Sequence, residues 1–274
     1  MSELSNEAEY NPRVRVPQVQ DIMQDWTERA AATRRRHPPI ADIRYGAHPR
    51  ETLDLFRAER ARGVLIFLHG GYWRALSKDE SSWVAEALLD QGVSVALVNY
   101  PLCPDVGLDR IRDAVRGAFL HLYRDVLSDE EKRRIVIGGH SAGGYLAALH
   151  LATDWAALGL PSDPIAGIVP ISGIFRLAPL IATSMNEAIG LTPESAAALS
   201  LDASPPLSRA RLAFVVGGDE TAAFHDQTNA MARHWAALAP SVTGLVGRHH
   251  FDVVDGLAQR GAALNSLVFG MIEG

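Results

Sequence analysis

Short β-rich runs alternate with longer helical patterns from about residue 41 onward, which predicts an α/β chain with a mostly parallel sheet covered by helices on both faces. Two further observations sharpen that expectation. A serine stands in a Gly-rich turn, Gly139-His140-Ser141-Ala142-Gly143, between an apolar run and a helix-like run. A Gly-Gly turn, His69-Gly70-Gly71, directly follows an earlier apolar run.

The expected strands are Asp42 to Tyr45, Thr52 to Phe56, Val64 to Leu68, Val93 to Val98, Ile135 to Gly138, Ile165 to Ile171, Leu212 to Val216 and Val242 to Val246. Helical patterns run from Ser81 to Leu89, Ile111 to Val126, Ala142 to Ala152, Asp226 to Leu238 and Val253 to Phe269. Eight strands, with a helix between most of the later ones, fit one domain over residues 1–274, a length that one sheet can organise. Two segments break the alternation: 16–36, with the helical run Gln18 to Ala32, and 175–204, between the sixth and seventh strands. Each is either a surface element or part of a small cap over the open end of the sheet, where ligand sites of parallel α/β folds lie. Position favours the cap for the second.

Around Ser141 the order is strand, sharp turn, helix: Arg134-Ile135-Val136-Ile137-Gly138 before it and Tyr145-Leu146-Ala147-Ala148-Leu149 after it. A serine hydroxyl is a poor nucleophile until a base takes its proton. The tight turn lifts the hydroxyl clear of the sheet, and the small residues Gly139, Ala142 and Gly143 let the backbone bend that sharply. In this context G-x-S-x-G reads as the nucleophile elbow of an α/β-hydrolase.

Composition excludes several functions. The net charge of −6 offers no field for nucleic acid or an anionic membrane surface, and no apolar run approaches the roughly 20 residues needed to span a bilayer. The single cysteine, Cys103, permits no intrachain disulfide, and a buried structural thiol is its default role. Met1 to Glu7 is polar and acidic, the reverse of a signal peptide, so a soluble cytoplasmic protein is expected. Ten histidines invite a metal reading, but neither H-E-x-x-H nor Cys-x-x-Cys spacing occurs. The Gly138–Gly144 stretch lacks the P-loop lysine and the G-x-G-x-x-G pattern. No cofactor is implied.

A serine nucleophile needs a base, a group that orients the base, and donors for the oxyanion. In this fold the chain order is Ser, acid, His. Arg248-His249-His250-Phe251-Asp252 follows the last expected strand, and either histidine can serve by spacing alone. The acid is expected after the seventh strand, where Gly217-Gly218-Asp219-Glu220 offers two carboxylates, of which one can turn inward. The oxyanion donors are expected from Ala142 and from the His69-Gly70-Gly71-Tyr72-Trp73 loop.

That loop resembles the HGGxW motif of the kynurenine formamidase (arylformamidase) group, within the hormone-sensitive-lipase-like branch of α/β-hydrolases. The similarity extends to Tyr10-Asn11-Pro12-Arg13, Asn99-Tyr100-Pro101-Leu102-Cys103-Pro104, Gly139-His140-Ser141-Ala142-Gly143-Gly144, Ser172-Gly173-Ile174 and His250-Phe251-Asp252. The resemblance implies that the base is the histidine before Phe-Asp, His250. It places the acid four residues before a helix-opening phenylalanine, here Phe224, which selects Glu220 over Asp219; the fold's Gly-x-x-acid turn, begun at Gly217, ends on the same residue. Familiar members carry aspartate there, so this chain departs by one methylene. The resemblance also assigns the N–H groups of Gly71, Tyr72 and Ala142 to the oxyanion. Tyr72 and Trp73 would form an aromatic wall for a planar substrate, unless Trp73 packs as core beneath the cap.

The reading is a serine hydrolase acting on a small ester or amide, formamidase-like. A general short-chain carboxylesterase and a non-catalytic ligand-binding protein are the alternatives.

Overall fold

The computed structural model describes residues 3–274; Met1 and Ser2 of the acidic N-terminus lie outside the described residues. Its strands are β1 (Ile40–Arg44), β2 (Thr52–Phe56), β3 (Gly63–Leu68), β4 (Val93–Val98), β5 (Ile135–His140), β6 (Gly167–Ile171), β7 (Arg211–Gly217) and β8 (Ser241–Leu245). They form one sheet in the order β1-β2-β4-β3-β5-β6-β7-β8. β1 and β2 join antiparallel, and every pair from β4 to β8 is parallel. Each expected strand is present, β2 and β4 with the expected ends and the others with ends moved by no more than a residue or two.

The α-helices are α1 (Glu3–Tyr10), α2 (Val19–Arg36), α3 (Glu86–Leu89), α4 (Leu108–His121), α5 (Asp129–Lys132), α6 (Ala142–Leu149), α7 (Asn186–Ile189), α8 (Pro193–Leu199), α9 (Ala222–His234) and α10 (Ala263–Glu273). Every expected helix differs in detail: Ala142 to Ala152 is α6 closed by a 3₁₀ turn, His150–Ala152, and Asp226 to Leu238 begins earlier, at Ala222, and ends in a 3₁₀ turn, Ala236–Leu238. Ser81 to Leu89 is a 3₁₀ segment, Asp79–Ala85, followed by the single turn α3, and the pattern from Ile111 ends in a π-helical turn, Leu122–Val126. Val253 to Phe269 is broken: a 3₁₀ segment, Asp252–Ala258, is separated from α10 by a turn in which Gly261 has φ +83°. That backbone conformation ends a right-handed helix.

Because successive strand residues face opposite sides, the sheet feeds two cores. Val64, Ile66 and Leu68 of β3 join Ile111, Val115 and Phe119 of α4 and Leu146 of α6. Leu65 and Phe67 join Trp26 of α2, Trp83, and Leu264 and Val268 of α10. A buried ion cluster pins α2 to the sheet. The fully buried Asp54 carboxylate accepts from Arg34 Nη1 at 2.6 Å, Lys78 Nζ at 3.1 Å and the Asp42 N–H at 2.8 Å. Its charge is thus compensated on several sides, which a buried carboxylate requires. Segment 175–204 folds into a 3₁₀ turn, Ala178–Ala182, and the short helices α7 and α8.

The sheet's direction of growth reverses at β3, where β4 lies on one side and β5 on the other. The loops after β3 and β5 therefore meet at the carboxyl edge, the usual location of a ligand crevice in such sheets.

Candidate active site

Ser141 caps the junction of β5 and α6 with φ 56° and ψ −117°. A non-glycine residue held there costs about 1–3 kcal/mol, and such strain accumulates at functional turns. The elbow can form because Gly143 passes close to β3: a Cβ at that position would lie 2.0 Å from the Leu68 carbonyl oxygen.

The loop after β3 is bent by three consecutive positive φ values, at Gly71 (+100°), Tyr72 (51°) and Trp73 (55°). The Gly71 carbonyl accepts from the N–H groups of Arg74 at 3.0 Å and Ala75 at 3.1 Å, closing the turn. The N–H groups of Gly71, Tyr72 and Ala142 have no acceptor among the described residues. They are available as donors to something bound at Ser141.

Glu220 and His250 are brought together from the ends of β7 and β8. His250 Nδ1 lies 2.7 Å from Glu220 Oε2, and both side chains are buried. Glu220 Oε1 accepts from the Gly217 N–H at 2.7 Å and from the Ser172 hydroxyl. Burial alone would push this carboxyl up. Attraction to His250 and the hydrogen bonds from His250, Ser172 and Gly217 outweigh it and hold the group below the usual carboxylate range. Asp219 is exposed, so of the two adjacent acids it is Glu220 that turns inward. His249 turns elsewhere: its Nδ1 accepts from the N–H groups of Phe251 and Asp252. The His250 ring packs 4.4 Å from Phe224 and 4.8 Å from His140. His140 donates from Nε2 to the His250 carbonyl at 2.8 Å; burial and the nearby His250 push it down to about 3, so it is neutral.

Ser141, His250, Gly71 and Tyr72 line a cavity of about 300 Å³. Its apolar wall comes largely from Met23 and Trp26 of α2, Met185 of the 175–204 segment, and Phe251. Trp73 is not part of that wall, contrary to one of the two roles expected of it. It is fully buried, donates from Nε1 to the Ala142 carbonyl at 3.1 Å, and meets the Tyr145 ring edge-on at 5.3 Å. Having an indole N–H to satisfy, it ties the β3 loop to the elbow instead.

Four contributions escape a reading of the chain. Ser172 holds Glu220, Trp26 and Met185 wall the cavity, and α1 leads a strap across the site. In that strap the Tyr72 hydroxyl donates to the Tyr10 carbonyl, and Asn11, Pro12 and Arg13 line the cavity. In the sequence, the runs Tyr10-Asn11-Pro12-Arg13 and Ser172-Gly173-Ile174 mark two of these contributions without assigning them roles. Among the described residues, no group of three His, Cys, Asp or Glu could hold a metal ion, and no helix is long and apolar enough to cross a membrane.

Residues 65–247 match the α/β-hydrolase fold family. A kynurenine formamidase of Danio rerio is 30% identical over 266 residues, 91% of this chain and 86% of that protein. One of Salmo salar is 34% identical over 181 residues, 64% of this chain and 58% of that protein. A solved Silicibacter structure, provisionally described as a thioesterase, is 30% identical with a TM-score of 0.85 over 97% of both chains. Esterase B of Lactobacillus rhamnosis, solved with a tributyrin phosphonate, is 18% identical with a TM-score of 0.66 over 94% of this chain and 96% of its own, and shows the shared fold. The strained serine elbow and the buried acid–histidine pair thus sit on a hydrolase scaffold, and the chain belongs to the kynurenine formamidase family of α/β-hydrolases.

Proposed function

We propose that this protein hydrolyses a small aryl formamide of the N-formylkynurenine type, together with short-chain aryl esters, through an acyl-enzyme on Ser141. The observation that carries the reading is the buried Glu220–His250 pair, whose histidine shares a cavity with Ser141 and with the residues Gly71 and Tyr72, whose N–H groups are unsatisfied. The formamidase relatives supply the substrate class.

In this reading His250 Nε2 takes the proton of the Ser141 hydroxyl as its oxygen attacks the carbonyl carbon. Glu220 accepts from Nδ1, fixes the tautomer and stabilises the imidazolium. The N–H groups of Gly71, Tyr72 and Ala142 receive the developing oxyanion; losing one such donor typically costs about 3 kcal/mol of barrier. His250 returns the proton to the departing aryl amine, leaving formyl-Ser141. Water, deprotonated by the same histidine, attacks that ester; formate leaves and Ser141 regains its proton. Helix α2, from the 16–36 segment, and the 175–204 segment act as the cap that walls the aryl group.

The test is kcat/KM for N-formylkynurenine against acetyl, butyryl and hexanoyl aryl esters. Formamide turnover, with activity falling as the acyl chain lengthens, is expected of a tight acyl site. Ester cleavage without formamide cleavage leaves a carboxylesterase. No turnover and no phosphonate labelling leaves a binding protein.

A further inference from the structure

The loop after β3 folds back on its own tight turn. The Ala75 N–H reaches the Gly71 carbonyl at 3.1 Å, and a Cβ added to Gly71 would lie 2.2 Å from the Ala75 carbonyl oxygen and 3.2 Å from Leu76 Cγ. Leu76 therefore packs directly against Gly71, whose N–H is a donor to the oxyanion in the proposed mechanism. It also lines the cavity that Ser141 and His250 share.

The backbone of Leu76 is held in an unfavourable state. Its φ is 68°, which is uncommon for any residue but glycine and persists only where the surroundings impose it. Arg50 imposes it here, donating from Nη2 to the Leu76 carbonyl at 2.7 Å and from Nε to the Tyr100 carbonyl at 2.9 Å. The side chain rests on the core that contains Trp26, Trp83 and Phe251. Fixed along its backbone and backed by that core, Leu76 is a rigid boundary of the cavity.

Sheet order decides which part of a substrate meets it. Strand β5, which leads into Ser141, lies between β3 on one flank and β6, β7 and β8 on the other. His250 follows β8 and approaches from the second flank. A leaving group that takes its proton from His250 departs on that flank, which leaves the acyl substituent on the flank of the β3 loop.

We propose that Leu76 closes the acyl subsite and is the residue that limits the length of the acyl group. This rests on the serine-hydrolase reading of the cavity. Leu76 takes no part in the bond changes and acts through the volume it occupies.

The experiment compares kcat/KM for the para-nitrophenyl esters of acetate, butyrate and hexanoate in the wild type, Leu76→Ala, Leu76→Gly and Met185→Ala. The leaving group is constant, and the butyrate-to-acetate ratio is measured within each preparation, so the fraction of active enzyme cancels. That ratio should rise on the order of tenfold in Leu76→Ala, because a methylene of fit in an apolar pocket is worth about 10–200-fold. Leu76→Gly relieves the positive φ and should raise the ratio at least as much, which keeps the test decisive if the alanine variant folds poorly. Met185→Ala changes the wall supplied by the 175–204 segment and should leave the ratio as it is. A ratio unchanged in both Leu76 variants, or raised equally by Met185→Ala, overturns the proposal while ester hydrolysis persists. A wild type that cleaves none of the esters and takes no fluorophosphonate label would instead remove the hydrolase reading, and this proposal with it.

Discussion

The Tyr100 hydroxyl donates to the His69 carbonyl at 2.7 Å and also reaches the Gly70 carbonyl at 3.3 Å. His69 Nδ1 donates to the same Gly70 oxygen at 2.8 Å, and its ring stacks on Tyr100 at 4.2 Å. A trans peptide is planar, with its C=O and N–H on opposite sides. Holding the Gly70 carbonyl against Tyr100 and His69 therefore turns the Gly71 N–H the other way. In the proposed mechanism Tyr100 would thus position the Gly71 donor, acting through the peptide it holds.

Tyr100→Phe should accordingly lower kcat by on the order of tenfold with KM nearly unchanged, because the ring still packs while the transition-state donor loosens. Steady-state kinetics give the split. A change confined to KM would remove this role.

The strain at Ser141 predicts a stability order. Alanine keeps the penalty of a side chain at φ 56°, whereas glycine relieves it. Ser141→Gly should be more stable than Ser141→Ala by about 1 kcal/mol, with both inactive. Urea unfolding of the two proteins decides it, and the reverse order would mean that the turn carries no such strain.

Glu220→Gln should lower turnover by roughly 10⁴-fold, as amide replacement does where the acid fixes the histidine tautomer, while Asp219→Asn changes little. His250→Ala should be inactive and His249→Ala active. If Asp219→Asn were the crippling change, the acid assignment would be wrong.

Which parts of this site were legible in the chain follows from how local each cause is. The serine elbow and the Gly-Gly loop are written in consecutive residues, because the backbone there needs small side chains wherever the rest of the fold lies. Local sequence leaves Asp219 and Glu220 equivalent, and only the family resemblance, which sets the acid four residues before Phe224, separates them. Ser172 could not be found that way: its hydroxyl meets Glu220 only because β6 and β7 are neighbours in the sheet. Trp26 reaches the cavity through the packing of α2 beside Trp83, a contact that helical periodicity does not specify. Trp73 failed as a wall because its indole N–H is satisfied in the interior, by the Ala142 carbonyl.

Three buried histidines predict how stability changes with pH. Burial pushes His69 and His140 down to about 3 and His150 to about 4, from an ordinary value of 6.5. Below pH 6.5 the unfolded chain takes up protons that the folded chain refuses, so stability is full above that value. It falls as pH drops toward 4, by up to about 1.4 kcal/mol per unit for each histidine. Glu220, held below its ordinary range, adds a further loss at the acid end of the same window. Urea unfolding at pH 7.5, 6 and 5 should show the decline, and His150→Gln should flatten it. Equal stability at pH 7.5 and 5 would contradict the buried neutral state.

Labelling with a fluorophosphonate, followed by peptide mass spectrometry, tests whether Ser141 is the residue that forms the acyl-enzyme. One adduct per chain is expected, on the peptide containing Ser141, formed in step with loss of activity and absent from folded Ser141→Ala. Inactivation with the adduct on another residue, or wild-type turnover by Ser141→Ala, would contradict that role.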